Sequence, residues 1–157
     1  VTNLLKAISI WQPWASLWLS PNKLDETRHW ATSHRGPLLV HAAKKFIKDI
    51  DGRLGDILDS EFGGHWGRDL PTGAIVGMVN LVKILPTETL YRDRSKLTED
   101  DEINIKCGDF SDGRYAWRRG VYRRFPQPIP YRGRQSMFSV PYDVVAAQIA
   151  ASTEVAA

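Results

Sequence analysis

Lys23, Glu26 and Arg28 fall within six residues, and Trp30 follows two positions later. If residues 25–30 form a strand, alternate side chains share a face. Glu26, Arg28 and Trp30 then project together, and Lys23 reaches the same region from the preceding turn. A carboxylate, a guanidinium, an amine and an indole on one surface suit a phosphorylated, aromatic ligand. The same residues also fit a solvated edge strand carrying ion pairs, which are common and weak. In a catalytic version, Lys23 would stabilise developing negative charge and Glu26 would act as general base.

Charge distribution points the same way. Residues 113–142 contain no Asp or Glu and carry Arg114, Arg118, Arg119, Arg123, Arg124, Arg132 and Arg134. The rest of the chain keeps 14 of the 21 basic side chains and all 18 acidic ones, a net of −4. An arginine-only stretch on a weakly acidic body suits anion binding, because guanidinium forks match phosphate and stack on bases. Solubilising arginines on exposed strands would look similar. Six tryptophans in 157 residues is a high count, so some must be core. One of Trp14 or Trp30, or Tyr131, could stack a base. Gln12 and Asn80 could read its edge, and Arg28, Arg35, Arg132 and Arg134 could take phosphate.

Other chemistries find little support. His29, His34, His41 and His65, with Cys107 as the single cysteine, match no common zinc spacing. No metal and no cofactor is expected. There is no phosphate-binding glycine loop, no Gly-x-Ser-x-Gly elbow and no Ser/His/Asp pattern. Ser136 is a strand serine of the ordinary kind. The apolar run 4–19 is broken by Lys6 and by Gln12-Pro13, so neither a membrane span nor a signal peptide is expected. One cysteine forms no intrachain disulfide, which fits a reducing compartment and a cytoplasmic location.

The elements that must position these residues read as follows. Residues 5–10 alternate as a strand, and Pro13 opens a short helix to Leu19. Residues 20–22 turn, 25–30 form a strand and 37–42 form an apolar strand. Residues 44–62 read as one amphipathic helix stopped by Gly63-Gly64. Residues 73–85 give the strongest strand signal, with Asn80 its one strongly polar residue. Residues 91–112 form a polar, acidic surface loop with a short helical turn. Residues 114–119 and 122–125 read as strands, and Pro126, Pro128 and Pro130 as an extended connector. A turn at Gly133, a last strand and a helix from Pro141 to Ala150 complete the chain. The expectation is one α+β domain over residues 1–157, with six or seven strands.

In this order the segments resemble a known family. Lys23-x-x-Glu26-x-Arg28 is similar to the Gly-x-Lys-x-x-Glu-x-Arg signature of ASCH domains, in the PUA-like superfamily. Ser9-Ile10-Trp11-Gln12-Pro13-Trp14-Ala15 resembles the opening strand and helix. Arg35-Gly36-Pro37-Leu38-Leu39-Val40-His41-Ala42 resembles the next strand, and Gly73-Ala74-Ile75-Val76-Gly77 the central one. Tyr115-Ala116-Trp117 and residues 128–135 resemble the closing strands. The resemblance implies a small, partly open PUA-like β-barrel with flanking helices. It also implies RNA, single-stranded nucleic acid or a nucleotide-like molecule as partner.

Two family activities are implied as alternatives to binding alone: removal of acetyl from N4-acetylcytidine, and RNA cleavage. Pro21 stands where the signature has Gly. Glu26 matches the position of a nucleophilic threonine in the acetylcytidine-hydrolysing relatives. Asn80 matches their central-strand carboxylate, and an amide is no general base. A protein-interaction domain docking through residues 91–112 is the remaining reading. The oligomeric state is unknown.

Overall fold

The computed structural model describes residues 3–157. Six strands form one mixed sheet in the order β2-β5-β4-β3-β1-β6. They are β1 (Leu4–Gln12), β2 (Asp25–Arg28), β3 (Gly36–Phe46), β4 (Ala74–Pro86), β5 (Tyr115–Pro130) and β6 (Met137–Pro141). Only β1 and β3 run parallel; every other neighbouring pair is antiparallel. The helices are α1 (Trp14–Trp18), α2 (Gly52–Phe62), α3 (Trp66–Asp69), α4 (Glu99–Lys106) and α5 (Tyr142–Ala151). The fold is the expected α+β arrangement with six strands and flanking helices. The sheet remains open, with β2 and β6 as its edges.

Three apolar clusters hold the layers together. Ile8, Ile10, Leu38, Val40, Val79, Leu81 and Trp117 fill the inside of the sheet beneath Trp18 and Leu19. Ala7, Leu39, Ile75, Phe138 and Val140 pack on the opposite face against Val145 and Ile149 of α5. Leu17, Leu58, Trp66 and Cys107 join α1, α2, α3 and α4 in a third cluster. Close approach sets one residue type: a Cβ on Gly77 would run into the Arg123 carbonyl and the Leu19 side chain.

Beyond β2, which ends at Arg28 and leaves Trp30 outside the expected strand, two elements differ from their sequence reading. Residues 44–46 extend β3 instead of opening a helix, with Phe46 opposite Gln12 and Ile47 N–H donating to the Gln12 carbonyl at 2.9 Å. The helix begins only at Gly52, whose φ of +63° interrupts any continuous helical path. Phe46, Ile50, Leu54 and Phe62 nevertheless reach one cluster, so the apolar face was legible where the element was not. The second difference is β5, which is continuous through the three prolines. Tyr131 N–H donates to the Gly73 carbonyl, while Gln127 N–H, at a break in the β4–β5 register, donates to Gln148 Oε1 of α5. The prolines lie at and beyond this irregularity and past the end of β2, where β5 has a strand on one side only and proline is tolerated.

Candidate functional site

The turn before β2 is built with Pro21 where the signature it resembles has glycine. Ser20 Oγ accepts the Asn22 N–H at 3.2 Å and donates to the Leu17 carbonyl at 2.6 Å. Arg119, buried on β5, donates to the carbonyls of Trp18, Ser20, Lys23 and Gly120. Burial lowers its pKa, partly offset by the neighbouring Tyr122 and Asp25. One guanidinium thus satisfies the free carbonyls at the end of α1 and across the turn. From the other side, Asn104 of α4 accepts the N–H groups of Leu24 and Asp25 and donates to Asp25 and Tyr91. Asp25, fully buried, also takes a two-pronged contact from Arg118 at 3.0 and 2.9 Å. That contact raises the Arg118 pKa.

Held this way, Lys23, Glu26 and Arg28 line one cavity of ≈ 610 Å³. Lys23 is 0% exposed. Its Nζ donates to the Cys107 carbonyl at 2.7 Å and lies 3.3 Å from Glu26 Oε1. Glu26 Oε2 lies 3.3 Å from Arg28 Nη1. Both carboxylate oxygens therefore face a cation, and Arg28 is the member of the chain that reaches solvent, with 24% of its side chain exposed. Trp14, Lys106, Asp109 and Arg114 complete the walls. The acidic segment is thus a wall of this cavity, through Lys106, Gly108 and Asp109.

A second cavity of ≈ 1390 Å³ shares Ser9, Trp11, Arg28 and His29 with the first. Trp30, Tyr131, Arg132 and Arg134 line it, together with Lys44 and His41. Trp30 is edge-on to Trp117 at 4.7 Å, with the Arg28 guanidinium 6.0 Å from its ring. Among the described residues, four cations and no carboxylate line this groove. Trp11 is 49% exposed and carries the Lys45 ammonium 3.9 Å above its ring. Trp11, Lys44, His41 and Ser9 escaped the sequence reading. Strand alternation around buried Ile8 and Ile10 was the signal that places Ser9 and Trp11 on one face.

Three sequence candidates lie elsewhere. Gln12 is buried and caps α1: its Oε1 accepts the Ser16 N–H and its Nε2 donates to Ser16 Oγ and the Pro71 carbonyl. Arg35 folds onto the Thr32 and His34 carbonyls. Asn80 sits half-buried on β4 opposite Pro37. None of the three lines either cavity. The seven C-terminal arginines also divide. Arg118, Arg119, Arg123 and Arg124 bind internal carboxylates or carbonyls, and Arg114 pairs with Asp109 at the cavity wall. Arg132 and Arg134 make no such contact among the described residues.

Comparison with known proteins adds the family. The ASCH domain family model matches residues 8–147. The chain belongs to the ASCH family. ASCH domains are PUA-like and generally RNA-binding. Similar solved structures include a serine-to-alanine mutant of the ASCH protein from Zymomonas mobilis. It is 13% identical, with 94% of this chain and 96% of that chain covered and a TM-score of 0.53. The unsubstituted protein from the same organism is 15% identical, with 94% and 95% covered and a TM-score of 0.48. At 13% identity the likeness to the first of these is one of fold. Curated proteins provide no match. No helix among the described residues is long and apolar enough to cross a membrane.

Proposed function

We propose that this ASCH domain binds single-stranded RNA or a nucleotide-like fragment in the joined cavities. The observation carrying this reading is the groove lined by Arg28, Lys44, Arg132 and Arg134 without a carboxylate, opening beside an exposed tryptophan. Lys44, Arg132 and Arg134, without a carboxylate partner among the described residues, and Arg28, which also faces Glu26, supply affinity for phosphate, and the half-exposed indole supplies sequence-tolerant stacking. In this reading Trp11 is the base platform and Trp30 and Tyr131 flank it. Arg28 takes a phosphate at the junction, and Lys23 and Glu26 hold Arg28 in place from below. The family's general RNA binding agrees with the chemistry of the walls.

The test is a titration of a fluorescein-labelled ten-nucleotide single-stranded RNA, followed by anisotropy at several salt concentrations. Binding should weaken steeply as salt rises, and the tryptophan emission should be quenched on binding. Absence of binding to RNA and to single-stranded DNA, or affinity indifferent to salt, would remove the reading.

A hydrolytic reading of the same cavity assigns Lys23 to charge stabilisation and Glu26 to proton abstraction. It requires a substrate that displaces one of the cations now facing the Glu26 oxygens. Lys23→Ala and Glu26→Gln would then abolish turnover of RNA or an acetylated nucleoside while the fold persists. Unchanged turnover in both variants would dispose of it.

A further inference from the structure

Ser9 on β1 and His41 on β3 are register partners in the parallel ladder. Ser9 Oγ lies 2.9 Å from His41 Nδ1, and His41 Nε2 lies 2.7 Å from the Tyr131 carbonyl. A carbonyl can only accept, so Nε2 carries the proton and Nδ1 presents its lone pair. The Ser9 hydroxyl must then donate to Nδ1. His41 is 2% exposed, and burial lowers its pKa below the ordinary histidine value against the opposing pull of the Tyr131 carbonyl. A nucleophile, a neutral base and an acceptor that fixes its tautomer are thus in line. This is the logic of a serine–histidine catalytic unit with a main-chain carbonyl as third member.

Ser9 lines both cavities and is partly exposed. The loop after β5 packs directly on the pair at Gly133. A Cβ on Gly133 would stand 2.6 Å from His41 Cε1 and 3.0 Å from Ser9 Oγ, so only glycine fits there.

We infer that Ser9 and His41 form a nucleophile–base pair that hydrolyses a carboxylic ester carried on an anionic, nucleotide-like substrate. The substrate class rests on the binding reading above, since the groove that would hold it is the one containing Arg28, Lys44, Arg132 and Arg134. Ser9 Oγ attacks the carbonyl carbon and its proton passes to His41 Nδ1. The resulting imidazolium keeps its Nε2–H bond to the Tyr131 carbonyl. The tetrahedral adduct collapses, and the departing alcohol oxygen takes the proton from Nδ1, leaving Ser9 acylated. Water then attacks the acyl carbon and gives a proton to Nδ1. Ser9 Oγ leaves, recovers that proton and the carboxylic acid is released. Ester and water become acid and alcohol, and the pair is restored.

The same geometry disfavours a phosphodiester. In-line displacement sends the leaving oxygen away from the attacking one, out of reach of an imidazole bonded to Ser9. A tetrahedral carbon adduct expels its leaving group on the side where the imidazolium waits.

The experiment uses 3′-O-acetyl-adenosine 5′-monophosphate, followed by chromatography, with phenyl acetate and bis-p-nitrophenyl phosphate in parallel. Ser9→Ala should lower kcat/KM for the acetyl ester by about 100-fold or more. Phenylmethylsulfonyl fluoride should leave a sulfonyl adduct on the Ser9 peptide of the unsubstituted protein and none on Ser9→Ala. Thermal melting establishes that the variant is folded, and Ser9→Cys, with a competent thiolate, should regain labelling by an alkylating ester analogue. The proposal is overturned by no ester turnover in the folded protein, or by turnover unchanged in Ser9→Ala. Ser9-dependent cleavage of the phosphate diester alone also overturns it. RNA binding without ester turnover keeps the binding reading and rejects the pair. Turnover of phenyl acetate without RNA binding rejects the binding reading and, with it, the substrate named here.

Discussion

Trp11 stands half exposed beneath the Lys45 ammonium and faces both cavities. Because Ile8 and Ile10 are buried while Trp11 points outward, truncating it should touch binding more than folding. Trp11→Ala is expected to weaken single-stranded RNA by about 1–3 kcal/mol, the usual worth of one stacked base, with the melting temperature nearly unchanged. Anisotropy titration and thermal melting check the two halves separately. His41 gives a second residue-scale expectation. Its pKa in the fold is lowered from 6.5 by burial, so the unfolded chain binds that proton more readily. Its contribution to stability is therefore complete above about pH 6.5 and is lost as pH falls below that value. Urea unfolding from about pH 7.5 to 5.5 should show a stability decline that His41→Gln reduces. Parallel declines in the two proteins would contradict this.

At the scale of elements, β2 is short and depends on neighbours for its position. Arg119 holds the turn that enters it, and Asn104 of α4 holds its first residues. Asn104→Leu would leave one buried and one part-buried main-chain donor without this acceptor and should destabilise the protein by about 2–4 kcal/mol. Arg119→Met removes donors from four carbonyls and should cost about 3 kcal/mol or more. Urea midpoints measure both, and losses below about 0.5 kcal/mol would show that the turn is held by other means. These supports were the least legible part of the sequence. Strands β1, β3 and β4 and helix α5 followed from alternation, β-branched runs and a proline start. Asn104 and the Cys107 carbonyl reach Lys23–Asp25 from about eighty residues away, and no periodicity reports such a bond. Residues 44–46 misled the helix reading because Phe46 and Ile50 suit the helical face that Leu54 and Phe62 continue. Gly52 was the break; an isolated glycine in a helical pattern weakens a helix without ending it often enough that the apolar periodicity prevailed.

Across the whole molecule, the sequence showed where the positive charge lies along the chain and not which charges remain available. Four of the seven C-terminal arginines are tied into the fold and a fifth faces Asp109, leaving Arg132 and Arg134 to join Arg28 and Lys44 at the groove. The motif charges were legible as a cluster, and the structure brings Lys23, Glu26 and Arg28 into one cavity. Gln12, Arg35 and Asn80 stand outside it because polar type alone does not distinguish a cap or a folded-back arginine from a contact. The most direct measurement is the salt dependence of single-stranded RNA affinity. Each phosphate neutralised should contribute a slope of about −0.7 in log K against log salt. Replacing both Arg132 and Arg134 by Ala should make the slope shallower by about 1.4, while Arg123→Ala, whose partners are Ser152 and Glu154, should leave it unchanged. An unaltered slope in the double variant, or an equal change in Arg123→Ala, would contradict the assignment of the groove as the nucleic-acid site.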